Sequence, residues 1–501
     1  MIFPFCLILR LIYDNILLIL QKGDIAMKLA LLIFALLTLT LNAGLKNLTL
    51  DRALELLEEN NLEIKVSKYE EMMKYYDIAK VKAKNYGTLD LTLTALRSND
   101  PGNVFGFKVQ SRDATFKDFG FADFMGALGQ GVMQSAMMDP NGQPNFAYFA
   151  QGLNQNGASI LAIKPDDLNY PKARNHFLTK LSYKVPIYTG GMLSNYKKIT
   201  TKMYKMSKLD TQKLLSLKRY ELKKTFYDIA LVNSFISNLN NIKNNISKLK
   251  KVIKEMKKEG YAVETDYLEV DARLAEVEAM LDEAKLNREL AYHFLSFLID
   301  NEVSSIITPK NPPRIPRVTK ELVESQNLDI AKAKLGEKIT QNAIEVEKAK
   351  FKPTIGAFAE YGNANDKIFK YSKKGFYTVG VQAKMNLFNG GADYASLEQA
   401  KVNHLKVATQ VILAKKGMWL KASKLKSQIK SLTARVRSYQ KQYKFAKRVY
   451  LTYKTKYKEG LVSITDLLIK QSQEIEKLMK LLKVKNERNA KILELQNLIN
   501  G

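Results

Sequence analysis

The sequence predicts a mainly α-helical chain with a smaller β part, in which one plan of strand, very long coiled-coil helix and returning helix is written twice. Three observations predict it. A phrase that ends an alternating strand and opens a long helix stands at Val185-Pro186-Ile187-Tyr188-Thr189-Gly190-Gly191 and again, 200 residues later, at Met385-Asn386-Leu387-Phe388-Asn389-Gly390-Gly391. From Met192 to Ile307 there is no proline and the only glycine is Gly260, so nothing interrupts helix over most of that stretch. Finally, short phrases of the second half answer phrases of the first at fixed offsets.

The chain opens with a leader. Met27-Lys28, an apolar run from Leu29 to Leu41 and the small exit Asn42-Ala43 predict a secretory signal peptide over residues 27–43, with residues 1–26 a wrongly assigned start. The rival reading, a membrane anchor with two apolar runs, has Asp14, Asn15, Lys22 and Asp24 against it. The single cysteine, Cys6, falls in this leader, so the mature chain is expected to hold no disulfide, thiolate metal site or thiol nucleophile. The formal charge is +29, and removing residues 1–43 leaves +28. Such an excess suits nucleic acid or an anionic membrane. Only 14 of the 79 basic residues are arginine, however, and the lysines are spread along helices rather than clustered with aromatics, so solvated helix faces account for the charge and no nucleic-acid partner is expected.

The first repeat spans 44–308. Leu50 to Lys84 is helical, with Asp51 as a cap and Asn61-Leu62-Glu63-Ile64 inside it or at a break. Leu89, Leu91, Leu93 and Ala95 alternate with Asp90, Thr92 and Thr94, which predicts a strand at about 88–97. Residues 98–172 carry five of the twelve prolines and many glycines, and are expected to form a long functional surface loop without regular structure. A second strand follows at about 177–188, then a helical hairpin over 192–307 turning at Gly260. Its first arm of about 69 residues would be roughly 100 Å long.

Prolines 309, 312, 313 and 316 mark a linker at 309–317, and the second repeat, 318–501, restates the plan. Asn327-Leu328-Asp329-Ile330 answers Asn61-Leu62-Glu63-Ile64 at offset 266. Strands are expected at about 353–362 and 376–388 around a shorter loop, and a helical hairpin at 392–500. Lys458-Glu459-Gly460 and Thr465-Asp466 repeat Lys258-Glu259-Gly260 and Thr265-Asp266 at offset 200. The change of offset places the difference between the halves chiefly in the first loop.

Four two-faced strands in an exported chain cannot close a membrane barrel, where every edge must be paired. Two protomers would give eight strands and three would give twelve. Twelve leave room for a passage, which favours a trimer. With the duplicated Gly-Gly phrases, the turn phrases Gly260-Tyr261-Ala262-Val263-Glu264-Thr265-Asp266 and Gly460-Leu461-Val462-Ser463-Ile464-Thr465-Asp466, and the leader, the mature chain resembles an outer membrane efflux protein of the TolC family. Phe105-Gly106-Phe107-Lys108 and Leu168-Asn169-Tyr170-Pro171 also resemble the first external loop of one branch of that family. The resemblance implies a homotrimer with a 12-stranded barrel in outer membrane lipid, four strands from each protomer, continued by an α-helical tunnel through the periplasm. It implies a passive exit duct for a tripartite efflux or type I secretion system, fed by an inner-membrane transporter through a periplasmic adaptor protein. The alternative from another class is a periplasmic coiled-coil adaptor or scaffold.

By the same resemblance Gly260, Tyr261, Gly460 and Leu461 are the adaptor-docking turns at the tunnel's inner end. Taken by themselves, the glycines also read as plain helix C-caps. Asp266, Glu269 and Asp466 are candidates for the periplasmic entrance, where three copies would form carboxylate rings that favour cations. An acid in a first helical turn is equally at home as a cap. In the second half Ile469 stands where the first has Glu269, and Val462 takes the place of an arginine that ties the gate in some relatives. Pro186, Gly190, Gly191, Gly390 and Gly391 are the strand-to-helix hinges. His176, His293 and His404 lack ligand spacing, no nucleophile or phosphate-binding motif occurs, and neither enzyme activity nor a cofactor or metal is expected.

Overall fold

The computed structural model describes residues 44–135, 146–309, 311–368 and 375–500; the signal peptide, its anchor alternative and Cys6 lie outside them. The elements are α1 (Leu50–Asn60), α2 (Leu62–Ala83), β1 (Thr88–Ser98), α3 (Pro101–Gln110), α4 (Phe121–Ser135), α5 (Phe146–Leu161), α6 (Asp166–Asn169), β2 (Arg174–Tyr188), α7 (Met192–Lys258), α8 (Glu264–Ile299), α9 (Lys320–Gln326), α10 (Leu328–Ala349), β3 (Thr354–Asn365), β4 (Phe376–Lys384), α11 (Ala392–Lys458) and α12 (Ile464–Asn500). None of the described helices is long and apolar enough to cross a membrane.

The chain folds into two compact units, and each draws on both sequence halves. One is helical, from residues 44–75, 202–338 and 405–500; the other holds the sheet, from 76–201 and 339–404.

In the sheet unit the strands lie in the order β1-β2-β3-β4, antiparallel throughout. The registers Leu91↔Leu181, Leu181↔Tyr361 and Tyr361↔Tyr377 place Leu89, Leu91, Leu93, Leu181, Tyr183, Ala357, Ala359, Val379 and Val381 on one face. The other carries Asp90, Thr92, Lys180, Ser182, Lys184, Glu360, Thr378 and Gln382. Lys180 Nζ lies 3.2 Å from Glu360, whose carboxylate also accepts from Ser182 Oγ at 3.3 Å. The apolar face is open: Leu91 is 65%, Val379 68% and Val381 67% exposed. The sheet thus has one exposed apolar face and one polar face.

Three departures from the sequence reading have local causes. Residues 98–172 are not a structureless loop but carry α3 to α6. Asp100 caps α3 by accepting from Asn103 N at 2.9 Å with Pro101 in the first turn, and Asp118 accepts from Thr115 N at 2.8 Å to cap a short 3-10 turn at Phe116–Phe119. The fourth strand ends at Lys384, not at 388, because its partner Thr354 is the first residue of β3. Within β2, by contrast, a bulge at Pro186 slips the strand onto Ile355, a position where a missing N–H is tolerated. Residues 300–307, expected in the first helical hairpin, leave the helix at Ile299 and bridge Leu45 and Leu48 through Val303 and Ile306.

In the helical unit the duplication is visible as packing. One core holds Leu57, Ile64, Leu222, Ile229, Leu295, Leu298 and Ile299; another holds Val323, Ile330, Ala422, Ile429, Leu495, Leu498 and Ile499. The first two members of each set are related by 266 and the other five by 200. The break between α1 and α2 is fixed by buried Asn61, which donates to Leu298 O at 2.8 Å and accepts from Ile64 N at 3.0 Å. Asn327 does the same between α9 and α10, with Leu498 O at 2.8 Å and Ile330 N at 3.1 Å. A third core joins the halves: Ile246, Ile253, Val270 and Val277 pack with Tyr450, Ile464, Leu468 and Ile475.

That joint contains a buried polar pair. Glu474 is 5% exposed, and burial pushes its carboxyl above the usual carboxylate range while Lys447 pulls the other way. Nearby Tyr450, pushed up to about 12 by burial, accepts from Gln471 Nε2 at 3.3 Å. A raised carboxyl pKa contributes stability below the unfolded value and loses it as pH rises through the folded one, so Glu474 is a liability at neutral pH. Glu474→Gln is expected to raise the thermal midpoint of the helical signal by about 2 °C at pH 7.5, with the gap closing as pH falls to the carboxylate range. Melting curves of both chains across that pH series check it.

Candidate functional site at the helical turns

The two turns share one geometry, produced by their glycines. Gly260 has φ +77° and Gly460 φ +71°. Tyr261 N donates to Met256 O at 2.8 Å and Leu461 N to Lys456 O at 2.9 Å, closing the last helical turns from a left-handed residue. No atom lies within 4 Å of a Cβ built on either glycine, so it is backbone conformation rather than space that asks for glycine. Tyr261 and Leu461 are 79% and 68% exposed. Each turn thus presents a large side chain to solvent directly after its glycine.

The three candidate acids act locally. Asp266 accepts from Val263 N at 3.2 Å and lies near Tyr457, whose hydroxyl is pushed up by burial and by that carboxylate. Ser463 Oγ accepts from Asp466 N at 3.1 Å and so caps α12, and the same hydroxyl donates to the Asp466 carboxylate at 2.7 Å. Asp266 thus caps α8 with its own carboxylate, whereas Asp466 sits in the first turn of α12 beside the capping serine and is exposed. Glu269 behaves differently: its carboxylate accepts from Thr465 Oγ1 at 2.8 Å, joining the start of α8 to the start of α12. Lysines pair with neighbouring acids of the same region, Lys257 with Glu264 and Lys250 with Asp271. Among the described residues no group of three His, Cys, Asp or Glu has the geometry to hold a metal ion.

Ser463-Ile464-Thr465-Asp466 carries the serine-to-acid spacing of a cap in the sequence itself. The Glu269–Thr465 bond has no such signal, because the residues are 196 apart and meet only when the halves pack.

The hinges belong to the sheet unit. Gly190, Gly191, Gly390 and Gly391 all have positive φ, between +62° and +92°. A Cβ at Gly190 would meet Ala349 O at 2.7 Å, whereas at Gly390 nothing lies within 4 Å. The three histidines are apart: His176 is buried on β2, His293 lies 3.6 Å from Glu289 on α8, and His404 Nδ1 is 3.0 Å from Thr340 Oγ1.

Comparisons with known proteins agree with the resemblance read from the repeated phrases. Residues 321–501 match the family model described as outer membrane efflux protein. No curated protein matches the sequence. Among solved structures, CusC, described in terms of transmembrane channel formation, superposes with a TM-score of 0.69 at 11% identity, over 92% of this chain and 94% of its own. The Campylobacter jejuni CmeC outer membrane channel gives 0.68 at 14% identity over 90% and 85%. The open state of the Neisseria gonorrhoeae MtrE outer membrane channel gives 0.66 at 13% over 90% and 89%. What these structures share with the chain at such identities is the fold.

Gly460→Ala forces a left-handed φ on a Cβ but meets no clash, and is expected to cost about 1 kcal/mol. Gly190→Ala adds a clash with Ala349 O and is expected to cost more. Thermal unfolding of the two variants beside the parent checks the order.

Proposed function

We propose that this chain, whose residues 321–501 match the outer membrane efflux protein family model and whose fold is that of outer-membrane channels, is the outer-membrane exit duct of a tripartite efflux or type I secretion system. It conducts passively, and energy comes from an inner-membrane transporter. The observation that carries this reading is the sheet: four strands with one apolar, exposed face, one polar face, and outer edges on β1 and β4 that pair with nothing among the described residues. A lone sheet of this kind cannot sit in lipid, and three copies edge to edge give twelve strands around a polar lumen.

The partners follow from the same reading: a homotrimer in the outer membrane, a periplasmic adaptor protein and the inner-membrane pump. Gly260 and Gly460 hold Tyr261 and Leu461 outward as the docking turns. Asp466 is exposed beside one of them and adds a carboxylate to the entrance, while Asp266 and Glu269 are occupied in capping and in tying the halves together. A periplasmic coiled-coil scaffold would use the helical unit but has no need of the sheet.

The native protein is expected in the outer membrane fraction, to migrate as a compact trimer on gels unless heated, and to give discrete conductance steps in a planar bilayer. A soluble periplasmic protein, indifferent to heating and silent in bilayers, would instead be the scaffold.

A further inference from the structure

β1 ends at Ser98 and β2 begins at Arg174, and these two residues are directly paired. A two-residue turn would suffice to join them. The chain instead inserts residues 99–173, and the start of that insert is bound to one particular face of the sheet.

The polar face is the one it covers. The ring of Phe107 on α3 lies flat on the imidazole of His176, with centroids 4.1 Å apart and planes at 7°. His176 alternates along β2 with Lys180 and Ser182, so it points to their side. It is 2% exposed, Phe107 is 9% and Val104 is 1%. Ala364, paired with Leu178 on the same face, is fully buried, and α3 also packs against β3. Polar bonds fasten the end of α3. Arg174 Nη2 donates to Asp113 at 2.7 Å and to Ser111 Oγ at 3.0 Å, and Arg112 Nη2 donates to Gly375 O at 3.0 Å, beside the start of β4. The Phe105-Gly106-Phe107-Lys108 phrase is thereby explained: Phe105 sits edge-on to Phe119 at 5.2 Å, Phe107 covers His176, and Lys108 pairs with Asp118.

We infer that residues 99–113 form an inward-folded constriction at the outer mouth, which sets the largest cargo each barrel passes. This rests on the duct reading, in which the polar face lines the lumen. A loop meant only to meet the exterior would have no reason to bury an aromatic helix against that face, when the apolar face beside it lies open. The Phe107–His176 stack and the Arg174 clamp hold α3 across the end of the same face on which Lys180, Ser182 and Glu360 interact.

The test uses thiol access from outside intact cells, which bypasses whatever closes the inner end. In a Cys6→Ser background, Thr92→Cys places a thiol on the polar face of β1, and Lys367→Cys is the control on the exposed turn after β3. Each is challenged with a small sulfonated methanethiosulfonate and with a maleimide carrying a polyethylene glycol chain. The parent is expected to let the small reagent reach Thr92→Cys and to exclude the large one, while the control accepts both. Replacing residues 99–173 by Asn-Gly is expected to abolish that size discrimination, and Phe107→Ala with Arg174→Ala to weaken it in the full-length insert. If the deleted chain does not form heat-modifiable trimers, the double variant decides. Equal discrimination with and without the anchors overturns the constriction and leaves the duct standing. Failure of even the small reagent to reach Thr92→Cys in folded trimers, with the control labelled, overturns the duct reading and the constriction together.

Discussion

The architecture rests on a four-stranded, two-faced sheet whose outer edges pair with nothing among the described residues. Within one chain β2 and β3 are satisfied on both sides, while β1 and β4 each have one partner. In water an open edge is a hazard, but in a bilayer each unpaired group costs several kcal/mol. On the proposed duct reading, the alternation that makes the sheet two-faced fixes which side meets lipid, and the open edges call for further copies of the chain. Lys180, Ser182 and Glu360 on the polar face interact with one another.

The helical unit solves a different problem with duplicated parts. Two helices of 67 residues each run from a Gly-Gly hinge to a glycine turn, and their packing partners repeat at offset 200. The returning helices and the short helices before the strands supply the rest of each core, with Asn61 and Asn327 satisfying a helix end that would otherwise leave a buried carbonyl without a donor. The halves are joined near the turns by Ile253, Val270, Tyr450 and Ile464, and at the tips by Glu269 and Thr465. The acids that the sequence singles out are thus first of all structural, and an entrance role for Asp466 rests on its exposure.

Much of this was legible because period and punctuation are strong signals here. Alternation from Leu89 to Ala95, the absence of proline after Met192, and the repeated Gly-Gly and Lys-Glu-Gly phrases locate strands, helices and turns directly. The helices within residues 98–172 were not legible, because they are short and rich in glycine, and their stability comes from caps such as Asp100 and contacts such as Phe107 on His176. The Asp100-Pro101 pair is a helix-start signal that the composition of the segment outweighed. The end of β4 was hidden for a similar reason: alternation runs on to Leu387, but the partner strand begins only at Thr354. Compact units that mix both halves could not be read from a linear repeat, since they depend on which elements pack together.

The most direct measurement is oxidative cross-linking between protomers along the two outer edges, with cysteine pairs that combine Leu89, Leu91 or Leu93 of β1 with Tyr377, Val379 or Val381 of β4. The account predicts that at least one pairing in each membrane-embedded trimer gives covalent species of two and three chains and none larger. Monomers at every pairing, or a ladder that continues beyond three, would contradict a closed barrel of three sheets.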